Sequence, residues 1–155
     1  LTANKLLLGI GRLVGFRFTN VVIPRGAVIT SAHLKFYATG GQSDLIRVEY
    51  TGEAVGNSPV FDPLVVKNLE NRKRTNSSII DAPGPWKTFT YNNSPNLRNI
   101  VQEIVSLPAW ASGNSLSLFV EDNNSASTGE RRISSFESSL GIDDAVKLVV
   151  TYQIP

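Results

Sequence analysis

His33 is the only imidazole in a chain of 155 residues that has no cysteine. Thiolate chemistry is therefore excluded, whether as a nucleophile or as a zinc or iron–sulfur ligand, and so is any site that needs two histidines. A serine relay through His33 would need its nucleophile on a sharp strand-to-helix turn, and no Gly-x-Ser-x-Gly segment supplies one. Glu49 and Glu53 fall on one face of an alternating segment, which puts them ~13 Å apart at the ordinary strand rise. Glycosidase carboxylates sit ~5.5 Å apart, or at most ~9.5 Å, so this pair fails. Only a pair formed across two strands stays open. The chain reads as a non-enzyme.

Binding chemistry is better represented. His33, Lys35 and Tyr37 alternate on the polar side of one segment, and Arg47 and Glu49 do so on the next. Together they would line a sheet face able to bond sugar hydroxyls, with Trp86 and Tyr91 flanking it as stacking surfaces. Arg72, Lys73 and Arg74 form a short cationic run suited to an acidic polysaccharide. The same residues also read as an ordinary solvated face and loop, since one side of an antiparallel sheet normally meets water. Asp122, Asn124, Asp143 and Asp144 sit in oxygen-rich segments. Hard cations take six to eight oxygens, so a structural calcium is the one cofactor left room for, and none is required. Asp and Asn also favour such places simply as turn residues.

Formal charge is only +2, and the basic runs carry no interleaved aromatics, which argues against nucleic acid. No apolar run approaches the ~18 residues of a membrane span. Low charge, abundant Ser, Asn, Gly and Thr, and the absence of Cys and Met point to a secreted or cell-surface protein.

Period-2 alternation must position these residues. Val14, Phe16 and Phe18 share one face, as do Ala32, Leu34, Phe36 and Ala38, then Leu116, Leu118 and Val120, and finally Val146, Leu148 and Val150. In the third of these segments Ser115, Ser117, Phe119 and Glu121 are expected to face outward. Segments 32–39 and 46–51, joined through Gly40 and Gly41, read as an antiparallel hairpin. Residues 52–85 read as surface connections, with short strands expected at 64–69 and 78–81. Residues 86–91 and 132–137 read as further strands. Ser94 then Pro95 is an N-cap signal, and Leu97, Ile100, Val101, Ile104 and Val105 recur at helical spacing up to Pro108. The sum is one all-β domain over 1–155: a two-sheet antiparallel β-sandwich, jelly-roll-like, with one short amphipathic helix near 95–106.

Phe16-Arg17-Phe18-Thr19-Asn20-Val21, Ile23-Pro24-Arg25-Gly26-Ala27 and Ile29-Thr30-Ser31-Ala32-His33-Leu34-Lys35-Phe36 resemble bacterial extracellular modules of the DNRLRE type. So do Ile100-Val101-Gln102-Glu103-Ile104, Trp110-Ala111-Ser112-Gly113-Asn114, Ser135-Phe136-Glu137-Ser138 and Lys147-Leu148-Val149-Val150-Thr151-Tyr152. The resemblance spans about two-thirds of the chain and skips 52–85. It implies a jelly-roll-like sandwich appended to a larger secreted protein. Some such modules bind carbohydrate, and many have no known role. The function expected is a non-catalytic carbohydrate-binding module whose partner is a polysaccharide or another extracellular polymer. The alternative is a structural or adhesive module that self-associates, with Leu6-Leu7-Leu8 either an ordinary edge strand paired in its own sheet or a strand that completes a neighbouring subunit's sheet.

Overall fold

The computed structural model describes residues 5–40, 44–135 and 142–155. Nine strands and one α-helix follow in the order β1 (Lys5–Gly9), β2 (Leu13–Phe18), β3 (Val28–Tyr37), β4 (Val48–Gly52), β5 (Ile79–Asp81), β6 (Tyr91–Asn93), α1 (Arg98–Val105), β7 (Leu116–Asp122), β8 (Glu130–Ser134) and β9 (Lys147–Gln153). One layer is the antiparallel sheet β2-β7-β4-β5. The other is β6-β3-β9, which the bridge Ala38–Ile133 joins to the β8-β1 pair. The apolar faces read from the sequence meet between the layers, where the rings of Phe16 and Phe36 lie 5.9 Å apart. The molecule is an all-β sandwich with one short helix.

One pairing expectation is corrected, and one that stood open between two alternatives is decided. Segments 32–39 and 46–51 do not form a hairpin, because β3 lies in one layer and β4 in the other. Both segments alternate cleanly, and each found a better apolar neighbour in its own layer. Leu6, Leu7 and Leu8 pair with Ile133, Arg132 and Arg131 of β8, respectively, in their own chain, and Leu8 is buried. Of the two short strands expected in the middle, 78–81 corresponds to β5, whereas 64–69 is a series of turns. The strand expected over 86–91 is instead β6, displaced toward Asn93. The strand expected over 132–137 is β8, and Phe136 and Glu137 lie outside the described residues.

The helix also starts later than the Ser94-Pro95 signal implies. Ser94 Oγ accepts the Leu34 N–H (2.9 Å) and Asn96 Oδ1 accepts the Ala32 N–H (3.0 Å), so 94–97 continues alongside β3 before turning. Asn96 Oδ1 also accepts from Arg98 N–H at the first turn. Once formed, α1 buries Ile100, Val101, Ile104 and Val105 under one end of the sandwich. On its far side the Glu103 carboxylate accepts the N–H groups of Asn76 and Ser77, both at 2.8 Å. Trp110 plugs the same end, with its indole N–H on the Ile23 carbonyl (3.0 Å).

Burial alone would raise the Glu103 pKa, but the two backbone N–H groups outweigh it and hold the carboxyl below its ordinary value. A depressed pKa contributes stability that is complete above the unfolded value of about 4.5 and is lost as pH falls through the lower folded value. Urea titrations should therefore show stability falling as pH drops below about 4.5, with a shallower acid limb in Glu103→Gln. An identical acid limb in the variant would show that these two hydrogen bonds carry no proton linkage.

Candidate functional site

The two outer sheet faces differ sharply. On the outer face of β2-β7-β4-β5, residues 53–75 fold back as a strap. Ser117 and Phe119 do point outward, as the alternation requires, yet both are fully buried beneath it. Close approach is possible because Gly15 has no side chain: a Cβ there would lie 2.9 Å from the Phe61 ring. Glu53 anchors the strap. Its Oε2 accepts from Ser58 Oγ (2.5 Å) and from Arg72 (2.9 Å), and both ion-pair side chains are 8% exposed. Arg72 also bonds the carbonyls of Pro59 and Val60 and the Asn68 side chain, and packs on Phe61. Arg74 lies 3.8 Å over the Phe119 ring. Burial lowers its pKa, and Glu121 and Glu53 partly offset that. Of the expected cationic run, only Lys73 is fully exposed. Glu49 sits on this same layer, directly opposite Glu121 of β7. Arg47 lies just ahead of β4, where its Nε donates to Asn123 Oδ1 (3.2 Å).

Among the described residues, none folds back over the outer face of β6-β3-β9. His33, Lys35 and Tyr37 project from β3, Tyr91 and Asn93 from β6, and Lys147, Val149 and Thr151 from β9. Tyr91 is the centre of this face. It is 38% exposed, stands edge-on to Tyr37 at 5.0 Å, and donates its hydroxyl to the Asp143 carbonyl (2.7 Å), which fixes the ring. Two ammoniums flank it, Lys35 Nζ at 4.7 Å and Lys147 Nζ at 5.4 Å from the ring centre. His33 Nδ1 lies 2.9 Å from the Ser94 carbonyl. A carbonyl only accepts, so Nδ1 carries the proton and Nε2 of the neutral ring is an acceptor. Phe89, two residues before Tyr91, is 65% exposed and has a φ of 58°. A bulky residue in the left-handed region is a backbone outlier.

The structure therefore gathers His33, Lys35, Tyr37 and Tyr91 and separates them from Arg47, Glu49, Arg72, Lys73 and Arg74, which belong to the opposite layer and its loops. Trp86 joins neither group. It is 7% exposed and stacked on Phe36 at 5.6 Å, inside the core. Lys147 completes the face, and sequence reasoning passed over it. Lys147 comes from the last strand, and nothing local shows that it will lie beside β3.

The oxygen-rich segments are bound up locally. Asp122 accepts the N–H groups of Gly11 (2.7 Å) and Ser127 (3.2 Å). Burial would raise its pKa, but these bonds and the Ser127 hydroxyl hold it low. Asn124 adopts the left-handed conformation of a turn. Asp143 and Asp144 lie in the short turn Ile142–Asp144. Among the described residues no three His, Asp or Glu side chains converge where they could hold a metal ion.

Arg131 is 1% exposed, and its guanidinium donates to the carbonyls of Asp44, Glu130, Pro83 and Gly84. Burial lowers its pKa, partly offset by Asp44. It serves as a staple between β8 and two connections. Between β2 and β9, each the last strand of its sheet among the described residues, runs a mainly apolar groove of about 340 Å³, lined by Phe18, Val21, Val22, Leu148, Val150 and Tyr152 and, at its polar side, by Thr19 and Asn20.

Compared with protein-family models and with curated proteins, the chain matches none. Arg72→Ala would leave Glu53 buried without its cation, a loss worth about 3–5 kcal/mol when a pair is fully enclosed. Hydrogen exchange should show the amides of 54–75 losing protection while those of β7 and β4 keep theirs. Unchanged exchange in the strap would mean that packing, not the ion pair, holds it down.

Proposed function

We propose that this protein is a non-catalytic carbohydrate-binding module of a larger extracellular protein, and that it binds through the outer face of β6-β3-β9. The observation that carries this reading is the Tyr91–Tyr37 pair: an exposed aromatic surface, immobilised by a hydroxyl bond and rimmed by donors and acceptors. Sugar rings present C–H faces that pack on aromatic rings, and their hydroxyls bond to surrounding polar groups. Rigid aromatics cost little entropy to immobilise on binding. His33, Lys35, Asn93 and Lys147 stand around the pair in the right chemical types. The resemblance to DNRLRE-type modules supports the same reading, though its matched residues are mainly core and turn positions.

A second reading, a structural or adhesive module that self-associates, is favoured by the mainly apolar groove beside β9, the last strand of its sheet among the described residues. An extended strand could be added there. The N-terminal strand, being paired in its own sheet, is not the donor in this arrangement.

Affinity electrophoresis through gels containing neutral and acidic polysaccharides, with light scattering on the same sample, separates the two. Retardation of the monomer by a glycan is expected. Tyr91→Ala should weaken it at least about tenfold, the scale of an aromatic hot spot, and leave thermal stability nearly intact. Trp86→Ala should instead destabilise the fold by about 3–5 kcal/mol, as core tryptophan truncations do. No retardation combined with a large assembled species would replace the sugar reading with the self-associating one.

A further inference from the structure

We infer that Lys35 and Lys147 form an oxyanion subsite, so that the glycan this face takes is one bearing carboxylate or sulfate groups. This rests on the carbohydrate reading above and deepens it. The two lysines are direct cross-strand partners on β3 and β9. Like charges placed opposite one another destabilise a sheet, and a negative group bound between them would relieve that. Three other cations have one or an equivalent. Arg72 has Glu53, Arg132 has Glu130, and Arg131 has four carbonyls. Neither Lys35 nor Lys147 is in an ion pair among the described residues.

What they share is the Tyr91 ring, at 4.7 and 5.4 Å. Its negative face draws both ammoniums toward the platform, where a bound sugar ring would lie. An oxyanion on that sugar would meet two charge-assisted donors, the strongest ordinary kind of hydrogen bond. The subsite also differs from the cationic run at 72–74, where Arg72 is committed to Glu53 and Arg74 to the Phe119 ring.

The test uses three probes at 0.15 M salt, where exposed charges are screened beyond roughly 8 Å. They are polygalacturonate, the same polymer fully methyl-esterified, and dextran sulfate. The proteins are the wild type, Lys35→Gln, Lys147→Gln, the double variant, Tyr91→Ala, and Lys73→Gln as a cation control on the other layer. Removing one or both like charges should leave the melting temperature equal or higher, so lost binding is not lost folding.

The expected result is retention by an acidic probe. Each single lysine substitution should weaken it at least about tenfold, and Lys73→Gln should leave it unchanged. Preference for polygalacturonate over its ester identifies the carboxylate as the source. Lysine-dependent retention by dextran sulfate alone identifies the sulfate. Equal retention by the polyuronate and its ester, lost in Tyr91→Ala only, overturns the subsite while the carbohydrate reading stands. Retention that Lys73→Gln lowers as much as Lys147→Gln is general attraction of polyanions to a basic protein and also overturns it. Absence of retention by both acidic probes overturns it as well. If neutral glycans are then also passed over, the carbohydrate reading falls with it.

Discussion

β3 is ten residues long, and β6 pairs with only its last three. The rest of that edge would present bare N–H groups at the rim of the core, and buried backbone donors without partners are strongly disfavoured. Side chains complete the ladder instead. Ser94 takes the N–H of Leu34, Asn96 takes that of Ala32, and Gln102 takes that of Ile29 while returning a bond to the Ala27 carbonyl. This requirement explains why the chain after β6 hugs β3, why the helix begins at Arg98, and why Gln102 lies in an otherwise apolar helical pattern. It also ties β3 at Ile29, Ala32 and Leu34 to the segment that follows β6. β3 supplies His33, Lys35 and Tyr37, so satisfying an edge is what holds the candidate site in register.

The same economy shapes the opposite layer. β7 is central there, between β2 and β4, and it carries Phe119 and Ser117 on its outer side. A phenylalanine in that position cannot face water without cost, and the strap of 53–75 covers it. Covering it brings polar groups into a dry place, which demands the Glu53–Arg72–Ser58 cluster. A buried ion pair of this kind spends much of its Coulombic gain on desolvation, and removing either partner leaves an uncompensated buried charge. The strap absorbs two of the three cations that made the middle region look like a binding loop. One outer face is thus spent on structure, and on the other the tyrosines, lysines and histidine are left uncovered by the described residues.

The open face has the character of a platform and not of a pocket. Its central ring is held by a hydroxyl bond to the turn before β9, and β9 also carries the second lysine. Position and charge therefore come from the same late segment of the chain. A polymer lying across three strands would find aromatic surface, donors and positive charge within one register repeat. Small rigid contacts of this kind suit weak binding repeated along a polymer, where several modules or several sites gain by effective concentration.

The sequence by itself determined the sandwich, the identity of most core residues and the single helix. All three rest on local periodicity, which a chain shows regardless of what it packs against. It also placed His33, Lys35 and Tyr37 on one polar face, since alternation assigns faces within a strand. It could not determine which strands become neighbours. Strand partners are chosen by non-local packing, so Arg47 and Glu49 went to the opposite layer and Lys147 arrived beside Lys35 from the end of the chain. Nor could it tell an aromatic stacked in the core from one on a surface, as Trp86 shows. Face is written along a strand, but adjacency and covering are properties of the assembled layers, and only the tertiary structure decided those.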